Sequence, residues 1–428
     1  MLKMFKEQLG KYRFLRSVFT LASASALGQL ILVLVTPILT RLYSPDDFGA
    51  LAVFAAIMAV LLVVSSLRYE LAIPLPRGER NSISLLRGAL VINLIMALIC
   101  LIVVVLFRSE IAHASKTPAL SGYLLLLPLA ILGGGTYKAL NYWAVRNNAY
   151  DAIAKTRITQ SVANAGIQIA AGLASAGSLG LILGQVLAQT VGAVRLSIGV
   201  KLEFQTFRLR RERLRLKVLL SRYRRFPKYD VPAAFFDQIS SQLPNLLLAM
   251  LFSPTVAGWY ILADRILSMP ISLVGQAVGQ VLFGASRSAI HERKLFPLAI
   301  RVSSVLAALA VLPTLILFLF APDIFSFVFG EVWREAGQYA SWMILGLAVQ
   351  FVYSPLSMLL MATEGQQLNL RVHLWMMLAK IGVVYYGYYI GSSLISIIGF
   401  SIVGLMGYAI AILFLLRHTY RHDKLVKE

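Results

Sequence analysis

The chain has 428 residues, 58% hydrophobic and 14% charged, with a mean hydropathy of +0.76. Soluble domains carry roughly 25% charged residues, so the composition excludes a water-soluble globular protein. The net charge of +21 does not by itself indicate nucleic acid, because excess Lys and Arg in a membrane protein follow the positive-inside rule.

The first sixteen residues, MLKMFKEQLGKYRFLR, are basic and amphipathic and lack a small-residue cleavage site. They are expected to form a retained cytoplasmic segment, 1–16. Apolar runs then fall at 17–40, 47–75, 85–107, 121–144, 158–176 and 178–200. A basic linker covers 201–228. Six more runs follow at 229–252, 255–283, 297–320, 336–361, 373–391 and 394–416, before a tail at 417–428. Each run is about the length a helix needs to cross roughly 30 Å of hydrocarbon. The pattern predicts an all-α polytopic membrane protein of twelve transmembrane helices in two six-helix lobes, 17–200 and 229–416. With the N-terminus inside, 30 of the 40 Lys and Arg fall on the cytoplasmic side, four fall outside and six lie within spans. This bias places both termini in the cytoplasm. The linker's apolar residues also suit contact with anionic lipid, although the plainer reading is a charged segment that enforces topology.

The two halves echo each other. SPDDFG at Ser44 and SPTVAG at Ser253 share S-P-x-x-x-G, and Gln29 and Gln238 keep the same offset. FRSEI at Phe107 matches FAPDI at Phe320, and ILG at Ile131 recurs at Ile344. Matches in one order at nearly one offset predict an internal repeat. Six spans per half put both halves the same way up, so the lobes are expected to be related by a pseudo-two-fold axis along the membrane normal. In the S-P-x-x-x-G turn, serine caps the next helix, proline suits its first turn and glycine permits close packing.

Charges inside spans are the functional candidates, since each costs on the order of 2.5–3.5 kcal/mol on insertion scales. Arg195 and Arg301 sit near cytoplasmic helix ends, where they snorkel. Arg68 and Glu70 lie near the inner hydrocarbon edge, in VSSLRYELAIPLPRG. Asp264 and Arg265 fall about 15 Å into their helix, counting from Pro254. Asp237, Lys138 and Lys380 are similarly placed, with Asn141, Tyr142 and Trp143 just after Lys138. Singly, each reads as a buried structural pair. Together they predict a polar, net positive interior suited to an anionic cargo, with carboxylates available for ion coupling.

Other chemistry is absent from the sequence. Cys100 is the single cysteine, and His418 and His422 sit in a basic tail without further ligands, so no metal site is expected. There is no phosphate-binding G-x-x-x-x-G-K-[ST] motif and no nucleophile–base signature. No catalytic residue and no cofactor are predicted. Gly133–Gly135 and GQAVGQVLFG at Gly275 read as helix-packing sites.

TRLYSPDDFGALAVF, SLRYELAIPLP, NYWAVRNNAYDAIAKTRI and DRILSMPISLVGQAVGQVLFGASR, in this order across the spans, resemble the Wzx-type oligosaccharide flippases. These are polysaccharide-biosynthesis transporters of the multidrug/oligosaccharidyl-lipid/polysaccharide superfamily. The resemblance implies a bacterial inner-membrane location and a cationic cavity working by alternating access. It implies an undecaprenyl-diphosphate-linked O-antigen, capsule or exopolysaccharide unit as cargo, and a polymerase and chain-length regulator as pathway partners. On this view Arg68 receives the diphosphate at the inner mouth. Arg265, Lys138 and Lys380 hold it deeper, Arg41 stands near the exit, and Asn141, Tyr142 and Trp143 contact sugar. Glu70, Asp237 and Asp264 balance charge or carry H+ or Na+. The rivals are a multidrug antiporter of the same superfamily and a membrane polymerase or ligase.

Overall fold

The computed structural model describes residues 2–200, 209–363 and 366–425. Residues 201–208 of the linker and 426–428 of the tail lie outside the described residues. Among the described residues there is no strand, and twelve α-helices reach 20 residues or more. By contacts the chain divides into two units, Met1–Pro254 and Thr255–Glu428.

The first unit holds α1 (Leu2–Leu42), α2 (Pro45–Val64), α3 (Glu79–Ala114), α4 (Leu127–Arg146), α5 (Tyr150–Leu173), α6 (Ser178–Gly199) and α7 (Val231–Leu251). A basic helix, Leu209–Arg222, precedes α7. The second unit holds α8 (Pro254–His291), α9 (Leu295–Phe329), α10 (Arg334–Ala362), α11 (Gln366–Ile390) and α12 (Ser393–Leu425). Nine of these helices are long and apolar enough to cross a membrane. Among the remaining three, α5 carries Asp151, Lys155 and Arg157, and α7 carries Asp237, Gln238 and Gln242. Such side chains lower hydropathy without shortening the helix.

The Ser-Pro turn behaves as its chemistry predicts. The Ser44 hydroxyl accepts from the Asp47 amide at 3.2 Å, and the Asp47 carboxylate accepts from the Ser44 amide at 2.9 Å. This reciprocal capping box starts α2, with Pro45 in its first turn. Glycines then set the helix spacing. Gly133, Gly134 and Gly135 of α4 each receive a different neighbour: Thr190 of α6, Leu62 of α2 and Asn93 of α3. The Asn93 amide also donates to the Leu132 carbonyl at 3.0 Å. In lipid, where apolar burial does not drive helices together, such close approach supplies the packing energy.

Gly49 of α2 has the tightest contact, against Pro254 just beyond the end of α7. A Cβ on Gly49 falls 1.9 Å from the Pro254 carbonyl oxygen, which is backbone and cannot rotate away. Gly49→Ala is therefore expected to cost about 1–3 kcal/mol by overpacking. Gly166→Ala, where a Cβ meets nothing within 4 Å, is expected to be neutral or stabilising. Thermal melts of the two purified variants check this.

In the second unit α8 meets α10 through Gly275 and Gly279, which face Ser354, Pro355 and Met358. The small-x-x-x-small spacing in GQAVGQVLFG is thus a helix seam. The Asp423 carboxylate accepts from the Phe296 amide at 2.9 Å and caps the start of α9. Trp259 of α8 lies edge-on to Tyr339 of α10, with centroids 6.0 Å apart.

One predicted span ends early. The apolar run 47–75 suggests a continuous helix, but α2 stops at Val64. Leu67 and Arg68 adopt positive φ, 50° and 62°, which a right-handed helix cannot contain. A 3₁₀ turn at Tyr69–Ala72 follows. Pro74 and Pro76 lack the amide hydrogens a continuing helix needs. The Arg146 guanidinium donates to the Pro74 and Pro76 carbonyls at 3.0 and 2.6 Å and to the Arg77 carbonyl at 3.3 Å. One α4 side chain thus satisfies three orphan acceptors of the irregular segment.

Candidate functional site

Two polar clusters stand out, one in each unit. The first forms where α2 breaks. Glu70 is only 1% exposed, and the Ser66 hydroxyl donates to its carboxylate. Across from it, the Lys138 ammonium of α4 donates to the Leu62 carbonyl at 2.9 Å. Leu62 belongs to the last turn of α2, whose carbonyls have no intrahelical partner and carry the negative end of the helix dipole. Lys138 therefore caps α2. It also lies within Coulombic reach of both Glu70 and Arg68, as does Tyr142 one turn further along α4.

Arg68 Nε and Asn141 Oδ1 are both buried with no hydrogen-bond partner among the described residues. A buried polar atom without a partner costs on the order of 1–3 kcal/mol. Arg68 also carries its unfavourable backbone conformation. Arg68 thus combines backbone strain and unmet polarity in one residue. The turn rests on a firm base, because Ala72, Ile73, Leu85, Leu86, Leu140 and Trp143 form one buried cluster. The Tyr69 hydroxyl donates to the Leu220 carbonyl of the basic helix at 3.1 Å.

The second cluster centres on Asp264 of α8. The Ser268 hydroxyl donates to its carboxylate at 2.8 Å. Lys380 of α11 lies within Coulombic reach of Asp264. Its ammonium sits 4.2 Å from the centroid of the Phe400 ring of α12, a cation–π contact. Tyr260, one turn before Asp264, lies edge-on to Phe400 with centroids 6.1 Å apart. Arg265 is the next residue on α8 and points about 100° round the helix. If Asp264 and Lys380 act as a pair, Lys380→Met is expected to reduce transport at least tenfold in the native background. In an Asp264→Asn background it is expected to add much less, because coupled residues are non-additive.

The structure brings together Arg68, Glu70, Lys138 and Tyr142 in one place and Asp264 and Lys380 in another. Trp143 lies in the hydrophobic cluster beneath the turn. Arg41 ends α1 and is exposed, and Asp237 is exposed on α7. The sequence reading missed Arg146, Ser66, Ser268 and Phe400. Ser66 and Ser268 were accessible as i,i+4 neighbours of their carboxylates. The Arg146 and Phe400 contacts join distant segments and carry no local signal.

Among the described residues, long apolar helices joined at glycine seams and carrying buried ion clusters define a polytopic membrane protein. The chain is a member of the polysaccharide biosynthesis protein family, which it matches over residues 38–338. It is 27% identical over 391 residues to the succinoglycan biosynthesis transport protein ExoT of Rhizobium meliloti strain 1021, covering 87% of this chain and 74% of ExoT. Its fold is that of the lipid II flippase MurJ in an inward closed conformation, with a TM-score of 0.66 at 14% identity, covering 96% of this chain and 91% of MurJ. It is equally that of an inward-facing multidrug MATE family transporter of the MOP superfamily, with a TM-score of 0.65 at 15% identity and 95% coverage of both chains. The Vibrio cholerae MATE transporter VcmN, in its bent form, aligns with a TM-score of 0.52 at 14% identity, over 96% of this chain and 98% of that one.

Proposed function

We propose that the protein is a flippase that moves a polyprenyl-diphosphate-linked oligosaccharide from the inner to the outer leaflet of the bacterial inner membrane. Membership of the polysaccharide biosynthesis family over residues 38–338 carries this reading. The likeness to a succinoglycan transport protein agrees with it. The net positive Arg68–Glu70–Lys138 cluster supports an anionic headgroup, for which the diphosphate is the natural ligand. Asn141 and Tyr142 share a face of α4 with Lys138 and contact sugar or its linkage. Arg265 and Lys380 offer a second cationic station. Glu70 and Asp264 balance these charges and carry the coupling ion, H+ or Na+. Movement by alternating access, cytoplasmic termini and delivery to a polymerase and chain-length regulator belong to the same reading. The cytoplasmic bias of Lys and Arg supports the orientation.

The second reading, a multidrug antiporter, is favoured by the MATE fold alone. Cationic drugs fit poorly beside paired Arg68 and Lys138. Deleting the gene and probing its lipid-linked glycans with a membrane-impermeant reagent separates the readings. Complete repeat units trapped on the cytoplasmic leaflet are expected. Units exposed outside but unpolymerised would indicate a polymerase, and an unchanged pool would favour drug export.

A further inference from the structure

The basic helix Leu209–Arg222 carries apolar side chains on two opposite faces, and its packing against the first unit uses one of them. Leu219 is buried in the cluster beneath the Arg68 turn, and Tyr223 packs against the same cluster. A Cβ on Gly88 of α3 would fall 2.5 Å from Leu216 Cδ1, so this glycine makes room for the helix. The Tyr69 hydroxyl donates to the Leu220 carbonyl at 3.1 Å. These contacts fix which way the helix is turned. At about 100° per residue, Leu214 and Val218 each lie about 160° round from Leu216, on the far face. They are 63% and 67% exposed. Lys217 and Arg222, also exposed, flank that pair, and exposed Arg224 and Arg225 follow directly beyond the helix.

The depth of this far face is set by α3. The charges of α3 before Gly88 are Glu79, Arg80 and Arg87, and the next is Arg108. Exposed Val91, Leu94, Ile95 and Leu98 begin three residues, about 4.5 Å, past Gly88. The basic helix therefore meets α3 where its surface passes from charged to apolar. In a helix long and apolar enough to cross a membrane, that level is the edge of the hydrocarbon. An apolar pair exposed there meets acyl chains, and the cations beside it meet headgroups. Residues 209–228 hold nine Lys and Arg against one acidic residue, Glu212, so the fitting headgroup is anionic. A nucleic acid would match the cations but offers no apolar surface to Leu214 and Val218. We propose that this helix is a docking surface for anionic phospholipids, with Leu214 and Val218 among the acyl chains and Lys217, Arg222 and Arg225 on the phosphates. In the orientation proposed above, it meets the cytoplasmic leaflet, which carries the anionic lipid. Tyr69 directly follows Arg68, so the docked helix ties the Arg68 turn to the lipid surface. The inference goes beyond the flippase reading and does not depend on it.

The test uses full-length protein with Val218→Cys carrying an environment-sensitive fluorophore. Cys100, the single native cysteine, is buried. The labelled protein is placed in nanodiscs of phosphatidylcholine alone or mixed with phosphatidylglycerol. In the mixed discs the emission is expected to shift to the blue and to be quenched by nitroxide-bearing lipid. Both effects should be weaker in phosphatidylcholine alone and should fall as salt is raised. Arg222→Gln with Arg225→Gln, two exposed changes, is expected to weaken docking about tenfold. Lys294→Gln, an exposed cation of the second unit, should leave it unchanged. Equal quenching in the two lipids, or quenching that the double variant does not alter, overturns the assignment to anionic lipid. A fluorophore open to a water-soluble quencher in both discs overturns the docking surface itself. A blue shift produced by added RNA and by neither lipid overturns it in favour of nucleic acid.

Discussion

Replacing Arg68 with glycine is expected to stabilise the protein and at the same time to reduce glycolipid transport at least tenfold. Arg68 holds φ at 62°, where a residue with a Cβ pays roughly 1–2 kcal/mol. Its Nε is buried without a partner, which adds a desolvation cost. Glycine removes both penalties, and its own loss of chain entropy offsets about 0.5–1 kcal/mol. The net gain is expected to be about 1 kcal/mol, read as a higher melting temperature. Lys138 remains to balance Glu70, so the cluster keeps one cation. The control is Leu67→Gly, which relieves a neighbouring positive φ of 50° without touching charge and is expected to keep transport. Arg68→Gly with normal polymer export would show that the guanidinium is a structural accident of the turn.

Lys138→Met is expected to have the opposite signature, losing both stability and transport. Methionine keeps the length of the side chain but not the ammonium that donates to the Leu62 carbonyl at 2.9 Å. The last turn of α2 then loses a charged donor inside the membrane, with the Ser65 hydroxyl still donating to the Leu62 carbonyl at 2.9 Å, and Glu70 loses one of its two cationic neighbours. The expected cost is about 2 kcal/mol, with at least a tenfold loss of export. Glu70→Gln alone is expected to impair transport too, since it leaves two cations with no anion. The double variant should be less damaged than the sum of the singles by about 1 kcal/mol or more, as required for interacting residues. Strict additivity, measured by denaturation and export together, would show that Lys138 only caps α2.

The legibility of this molecule divides along physical lines. Periodic apolar blocks made a helical membrane chain legible, because membrane crossing demands a nearly fixed length, and nine of the described helices are long and apolar enough to cross. SPDDFG announced a capped helix start because its chemistry is local, and the Ser44–Asp47 box has that form. Glycine spacing near Gly275 announced a seam, although not its partners on α10. The break after Val64 was not legible, because LAIPLP reads as apolar and the segment that follows the reversal is held by Arg146, about seventy residues downstream of Pro74 and Pro76. Among the candidate site residues, Glu70 and Lys138 announced themselves as charges in an apolar segment. Their association and that of Asp264 with Lys380 arise from helix packing, which no local window contains. Trp143 is the instructive contrast. It stands beside Tyr142 in the sequence, yet it is a buried member of the hydrophobic cluster, while Tyr142 is partly buried against the cluster's edge and lies within Coulombic reach of Glu70 and Arg68.

Movement of a lipid-linked saccharide between leaflets can be read by reconstituting the purified protein into sealed liposomes carrying a labelled polyprenyl-diphosphate sugar. A membrane-impermeant enzyme added outside then cleaves whatever sugar reaches the outer leaflet. With an imposed H+ or Na+ gradient, cleavage is expected to rise above the half present in the outer leaflet at the start and approach completion. Liposomes carrying Arg68→Gly protein should stay near that half. A wild-type plateau at half, in vesicles that do exchange a cationic drug, would contradict the account and make the protein a drug antiporter.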